Sequence, residues 1–393
     1  MKNIFVVFLF VLLLMACEKS ETIDPETYSC SFNFTDNSAN HPKAQQYQAT
    51  VNEIVSKGTV GIMMSVYHPN SGQWLGAAGK ADINNNIAMQ PCMTSRMGST
   101  IKMFTATVTM LLYQEHKINL DEKISNYLKA SYIHKIRNAE TATIRQLLQH
   151  SSGIYNYIQN PKFQTASMND LKREWRAGDL LPYAYHQPAY FAAGTDVRYS
   201  NTNYILLGLL IEQIEGQPLH EVFEKRIFNP LGMTKSLFAA KNPVPNNIAR
   251  GYIDLYSNFK IIESTYFSGW DYYTADGGLI SNPYDMSLFF RKLINGEIIS
   301  QPLLNEMLTW KTPKEQDADF FPIAYGLGIF KMTTAKGDVY FHSGDAIGYY
   351  ANMMYIPSSK SVIVYAVNSN YGKLDEWVST KKAIEKILES TWE

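Results

Sequence analysis

Ser99 and Lys102 stand three residues apart at the head of an apolar run, Ile101 to Leu112. An amine one helical turn from an alcohol can take its proton, so S-x-x-K is a pattern for nucleophilic acyl transfer. Met103, Phe104, Ala106, Val108, Met110 and Leu111 leave the run little polar face, which predicts a helix buried nearly all round. Ser99 at its first turn would offer an unpaired backbone N–H to a developing oxyanion. The helix dipole favours negative charge there, and residue i+3 lies on the same face, bringing Lys102 to Ser99. Burial and the positive helix end both disfavour the ammonium, so Lys102 is expected to act as a neutral base. The pattern recurs at Ser257/Lys260, in a Tyr/Asn-rich loop, and at Ser379/Lys382, on a Lys-rich helix late in the chain. Neither opens a buried helix.

Tyr199-Ser200-Asn201 follows the turn signal Ala193-Gly194-Thr195 and precedes the apolar stretch Ile205 to Ile214. A loop pinned by a buried helix presents polar groups well. Tyr199 is placed to relay a proton between Ser99 and a leaving group, and Asn201 to hold Lys102 and a substrate amide. Tyr256-Ser257-Asn258 and Tyr350-Ala351-Asn352 share the spacing, but the first lies in the loop already set aside and the second inside a predicted strand. His342-Ser343-Gly344, the only [HK]-[ST]-G match, closes a predicted strand. Gly344 would let a substrate backbone come close, the Asp345 N–H is a candidate second oxyanion donor, and a strand edge can hold an extended peptide. Singly, each motif also has a plainer meaning: a capping serine with a snorkelling lysine, a tyrosine packed on the core, a strand-end turn with a buried histidine.

In this order, Ser99-Thr100-Ile101-Lys102, Tyr199-Ser200-Asn201 and His342-Ser343-Gly344 resemble the motif set of the serine β-lactamase and D-alanyl-D-alanine carboxypeptidase superfamily. The stretches LLQHSSGI (147–154), GTDVRYSNTNYILLGLLIE (194–212), NPLGM (229–233) and DGGLISNPYDM (276–286) look like its class C β-lactamase and DD-peptidase branch, and the likeness runs over about 45–390. The resemblance implies a β-lactamase/transpeptidase-like α/β fold of α+β type. An antiparallel sheet from both chain ends is packed by helices, and an all-α region is inserted, with the cleft between. It implies an acyl-enzyme mechanism: Ser99 attacks a carbonyl, the Ser99 and Asp345 amides hold the oxyanion, and Tyr199 protonates the leaving group. The base stays open between Lys102 and Tyr199. Implied substrates are small peptides, amides, esters or β-lactams, peptidoglycan stem peptides among them, with no cofactor. A D-alanyl-D-alanine carboxypeptidase-like peptidase or amidase comes first. A β-lactamase or esterase is the alternative, and a non-catalytic muropeptide or β-lactam receptor the third reading.

One departure bears on substrate. Class C β-lactamases carry Lys-Thr-Gly and usually Tyr-Ala-Asn, where this chain has His-Ser-Gly and Tyr-Ser-Asn. A lysine is a fixed charge for a substrate carboxylate, whereas a histidine of pKa ~6.5 is mostly neutral at pH 7. Efficient β-lactam hydrolysis is therefore not expected. His-x-Gly resembles some soluble DD-carboxypeptidases, D-aminopeptidases and esterases of the superfamily.

The rest of the chain sets the frame. Its 393 residues carry 35 Lys+Arg against 36 Asp+Glu, a net charge of -1 without the basic field that nucleic acid requires. With 46% hydrophobic and 18% charged residues the chain can bury a large core. The histidines and cysteines form no metal-ligand cluster, so no metal is expected. Residues 1–17, MKNIFVVFLFVLLLMAC, read as an export signal. The apolar run Ile4 to Leu14 is shorter than the ~20 residues of a membrane span. Leu14-Met15-Ala16-Cys17 resembles the bacterial lipobox, implying cleavage before Cys17, a lipid on its sulfur and a place in the cell envelope, on a periplasmic or outer-membrane face. Residues 18–40 are polar and aperiodic, a tether before a domain at 41–393. Cys30 and Cys92 would then share an oxidising compartment; whether they pair, and the oligomeric state, stay open. Helices are expected at 43–57 and 374–391, strands at 59–67, 73–79, 325–330, 338–342, 350–356 and 361–367, and a mainly helical insert over about 100–320.

Overall fold

The computed structural model describes residues 28–239, 244–245, 247–269 and 273–392. Helix α1 (Ala44–Ser56) buries Tyr47, Val51 and Ile54 at helical spacing. Gly58, at φ +115°, turns the chain into a hairpin of β1 (Gly61–His68) and β2 (Gly72–Asp82), followed by the short β3 (Ile87–Ala88). The insert holds α2 (Ile101–Gln114), α3 (Asn201–Glu215) and α4 (Pro283–Ile294), joined by shorter helical turns. The chain then returns through β4 (Ile323–Tyr325), β5 (Phe330–Thr334), β6 (Gly337–Ala346), β7 (Tyr349–Ile356) and β8 (Ser361–Val367), and closes with α5 (Lys381–Thr391).

These eight strands form one antiparallel sheet in the order β3-β2-β1-β8-β7-β6-β5-β4. The two chain ends meet at the β1/β8 seam, in register from Ile62↔Val367 to Tyr67↔Val362. All of Ser361–Val367 is buried, because the sheet is covered on both faces. Alternation sends Val362, Val364 and Ala366 to one core, with Phe104 and Phe289 of the insert. Ile363, Tyr365 and Val367 go to the other, with Tyr47 and Val51 of α1 and Ile384 and Ile387 of α5.

Four expectations change. The single strand at 325–330 is two strands about a turn, in which Gly328 has φ +76° and Gly326 N–H bonds to Ile329 O. A Cβ on Gly328 would stand 2.3 Å from that of Ala106, so the turn packs on α2. The closing helix is broken: a 3₁₀ turn, Gly372–Trp377, precedes α5, whose start is set by Thr380 Oγ1 accepting from Ala383 N–H. The insert is mainly helical but also holds short strands. Ser95–Arg96 pairs with Leu279–Ser281, and Tyr252–Ile253 with Ile262–Glu263. Finally, the described part of the expected tether, 28–40, is packed. Tyr28 is buried, Cys30 is disulfide-bonded to Cys92, and Phe32 and Phe34 lie 5.6 and 4.6 Å from the Tyr284 ring. Its apolar residues alternate with polar ones too briefly to announce this. Residues 1–27, with Cys17, lie outside the described residues.

Candidate active site

Ser99 lies in a 3₁₀ turn, Gly98–Thr100, that runs straight into α2. The turn winds onto the first helical residues, so the i+3 geometry survives: Lys102 Nζ is 2.8 Å from Ser99 Oγ. Lys102 is fully buried, bonds to the Asp276 carbonyl oxygen, and has its Nζ 5.1 Å from the Tyr199 ring centroid and 5.7 Å from that of Tyr204. The Lys102 amine thus sits among an alcohol, a carbonyl and two ring faces, which satisfy a polar group inside the core.

Strand β6 reaches this turn because two glycines let the backbones touch. An ideal Cβ on Gly344 would sit 2.0 Å from Met97 O and 2.8 Å from Ser99 N. One on Gly98, itself at φ +48°, would sit 2.8 Å from Asp345 N. The amides of Ser99 and Asp345 are thereby neighbours, as two donors around one oxyanion must be. Pairing between β5 and β6 stops at Phe330↔Phe341, so 342–346 are paired to β7 alone and turn their other edge to the cleft.

Tyr199 is held through its backbone. Its N–H bonds to the Tyr325 hydroxyl. The next N–H, of Ser200, donates to His150 Nδ1 at 3.1 Å, and that of Asn201 to Asn156 Oδ1 at 3.1 Å. The His150 ring lies 4.5 Å from the Tyr199 ring. Burial first, then the Lys102 ammonium, holds the His150 pKa well below its ordinary value. Asn201, at the head of α3, keeps a buried Oδ1 with no protein partner.

His342 is buried, and its Nδ1 is 2.7 Å from Ser343 O. A carbonyl only accepts, so Nδ1 carries the proton and Nε2 is a lone pair, which has no protein partner. Burial, then the Lys102 charge, drives its pKa down to about 3. The expected mostly neutral histidine is neutral across the whole ordinary pH range.

A cavity of about 410 Å³ joins these groups. Ser99, Tyr199, Asn201, His342, Ser343 and Asp345 line it, with Phe320, Tyr325, Phe330 and Phe341 as an aromatic wall, and no lysine or arginine among its lining residues. Gly344 lies under it, in the same strand. Asp345 is exposed, with Oδ1 accepting from Asn370 Nδ2 at 2.6 Å. Among the described residues no group of His, Cys, Asp and Glu could hold a metal. The sequence assigned no role to His150, Asn156, Tyr157, Asp276 or Tyr325. Asp276 is buried, bonded to the Tyr157 hydroxyl at 3.0 Å, and its pKa is raised by burial against the pull of Lys102. Their only trace was polar residues within otherwise apolar stretches, as in LLQHSSGI and DGGLIS.

Residues 43–381 match the family model described as Beta-lactamase. The chain belongs to the Beta-lactamase family. Among curated proteins, this Beta-lactamase family member is 27% identical over 299 residues to Protein flp of Staphylococcus aureus (strain COL), covering 74% of this chain and 56% of that one. It is 24% identical over 247 residues to Teichoic acid D-alanine hydrolase of Staphylococcus aureus (strain NCTC 8325 / PS 47), covering 62% and 57%. The chain thus spans a little over half the length of these curated relatives. Two solved structures align with 88% of this chain and 98% of their own. The D-stereospecific amidohydrolase from Streptomyces sp. has a TM-score of 0.75 at 26% identity. The D-amino acid amidase from Ochrobactrum anthropi SV3, complexed with L-phenylalanine amide, has 0.77 at 25%.

Proposed function

We propose that this Beta-lactamase family member is a cell-envelope serine hydrolase. It forms an acyl-enzyme on Ser99 and cleaves D-amino-acid peptides and amides, as a DD-peptidase or amidase does. The 2.8 Å approach of Lys102 Nζ to Ser99 Oγ carries this reading. Lys102 or Tyr199 takes the Ser99 proton, Oγ attacks the carbonyl, and the Ser99 and Asp345 amides receive the oxyanion. Tyr199 returns the proton to the leaving amine, and water releases the acid. Neighbours named for D-amino-acid amides and D-alanine support the substrate class.

Within that class the cleft suits an amide better than a free carboxylate. No cation lines it, His342 offers a neutral acceptor, and Asp345 stands at its edge. A substrate anion would meet no opposite charge there, whereas the aromatic wall suits an apolar side chain. For the same reason β-lactam turnover should be slow. The lipobox-like Leu14–Cys17 supports a lipid anchor, and the Cys30–Cys92 disulfide fits an oxidising compartment.

The test is intact-mass detection of an acyl adduct across D-amino-acid amides, D-Ala-D-Ala peptides, short esters and penicillins. Wild type should form it most readily with the amides, Ser99→Ala should form none, and Lys102→Met should acylate about 10²–10⁴-fold more slowly. Full turnover by Ser99→Ala would remove the nucleophile.

A further inference from the structure

Eight large hydrophobic residues are exposed among the described residues, and six of them fall within 255–266: Leu255, Tyr256, Phe259, Ile261, Ile262 and Tyr266. They crown the hairpin in which Tyr252–Ile253 pairs with Ile262–Glu263. Tyr256 is 69% and Phe259 55% exposed, far more than a core residue strayed to the surface. Phe259 sits at φ +61°, a costly conformation for an aromatic residue.

At the tip itself the charged side chain is a lysine, and Glu263, just beyond it, lies 3.6 Å from Arg250. The segment 255–262, LYSNFKII, contains no acid. Asp254 is buried, its carboxylate taken by the backbone N–H of Asn258 at 2.9 Å and of Lys373 at 3.2 Å. Lys260 is exposed, and Lys373 Nζ lies 5.1 Å from the Phe259 ring.

The chain enters the domain at the same corner. Tyr28, the first described residue, reaches Asp82 Oδ2 with its hydroxyl at 3.5 Å. Asp82 faces Arg250 at 3.8 Å, and Arg250 lies 5.3 Å from the Tyr266 ring. Eleven peptide steps from Cys17 to Tyr28 span at most about 36–40 Å. A lipid on Cys17 would therefore hold Tyr28, and with it this corner, within that distance of the bilayer.

We propose that the 254–262 hairpin is a membrane-interface contact. Leu255, Tyr256, Phe259 and Ile261 enter the headgroup layer of an anionic bilayer, and Lys260 and Lys373 meet lipid phosphates. Aromatic rings with a polar tip and lysines with an apolar stem are the side chains that settle at such a boundary. The proposal rests on the lipid-anchor reading. It gives the anchor an orientation: Asp254 N–H bonds to Asn370 O, and Asn370 Nδ2 holds Asp345, so docking fixes the cleft relative to the membrane.

The test is tryptic cleavage of the full chain after Lys260, compared with cleavage after Lys336 in the β5–β6 turn. It is run with and without vesicles of phosphatidylcholine containing one quarter phosphatidylglycerol. Vesicles should slow cleavage after Lys260 at least about fivefold, as expected when four in five molecules are docked, and leave Lys336 unchanged. High salt should weaken the protection, and Tyr256→Ser/Phe259→Ser should abolish it. Equal cleavage of wild type with and without vesicles would overturn the proposal. So would protection that grows with protein concentration in the absence of lipid, the mark of a second copy on the patch. The anchor is judged separately, by the mass of the Cys17 peptide from cell membranes.

Discussion

His342 and His150 share one environment, buried beside Lys102, and both are held neutral by it. Their folded pKa values lie below the unfolded value of ~6.5. As pH falls from there toward about 3, the unfolded chain binds a proton that folded His342 refuses. Stability from this residue is thus complete above pH ~6.5 and is lost on acidification, at about 1.4 kcal/mol per pH unit inside the window. Asp276 and Asp285, whose pKa values burial raises, titrate with the opposite sign. They are common to wild type and His342→Gln, so the difference isolates the histidine. Urea unfolding between pH 7 and 4 should show wild type losing stability the more steeply, and parallel curves would refute a buried neutral His342. The sequence pointed to this residue and to its weak charge, but a tripeptide cannot report how much protein surrounds it.

At the scale of elements, the contact that matters is β6 against the Gly98–Thr100 turn. Gly344 was expected to admit a substrate backbone. The backbone that it admits is the chain's own, at Met97 and Ser99. Gly344→Ala should push the strand off the turn and separate the two oxyanion amides. kcat/KM should fall by about 10²–10³, the usual cost of losing one such donor, with near-UV dichroism largely kept. Undiminished kcat/KM would mean that the strand and the turn do not form the oxyanion site together. Helix α2 and strands β6 to β8 were legible because their apolar residues repeat with periods that a short window holds. The β4–β5 turn was not, because its cause, the contact of Gly328 with Ala106, lies more than two hundred residues away in the chain.

For the whole molecule, the disulfide ties the N-terminal described segment to the rest of the domain. Cys30 and Cys92 are 62 residues apart, with Cα atoms 5.8 Å from each other. Closing so long a loop constrains the unfolded chain, a contribution of about 2–4 kcal/mol. Cys30→Ser/Cys92→Ser should lower the free energy of urea unfolding by that amount, and reductant should destabilise wild type but not the variant. Equal stability of the two would show that Tyr28, Phe32 and Phe34 hold the segment by packing alone.

What the sequence determined by itself was local. An alcohol and an amine at i and i+3, a tyrosine and an asparagine at a helix mouth, and a histidine ending a strand are all readable where they stand, as is the alternation that builds the sheet. Tertiary structure decided what those groups become. It set Lys102 on the carbonyl of Asp276, 174 positions along the chain, and bonded the Ser200 amide to His150. It also made His342 a lone-pair acceptor and brought Cys30 to Cys92. Charge state and donor polarity depend on the dielectric and the partners around a group. Those partners are assembled by folding from distant segments, beyond the reach of any local pattern.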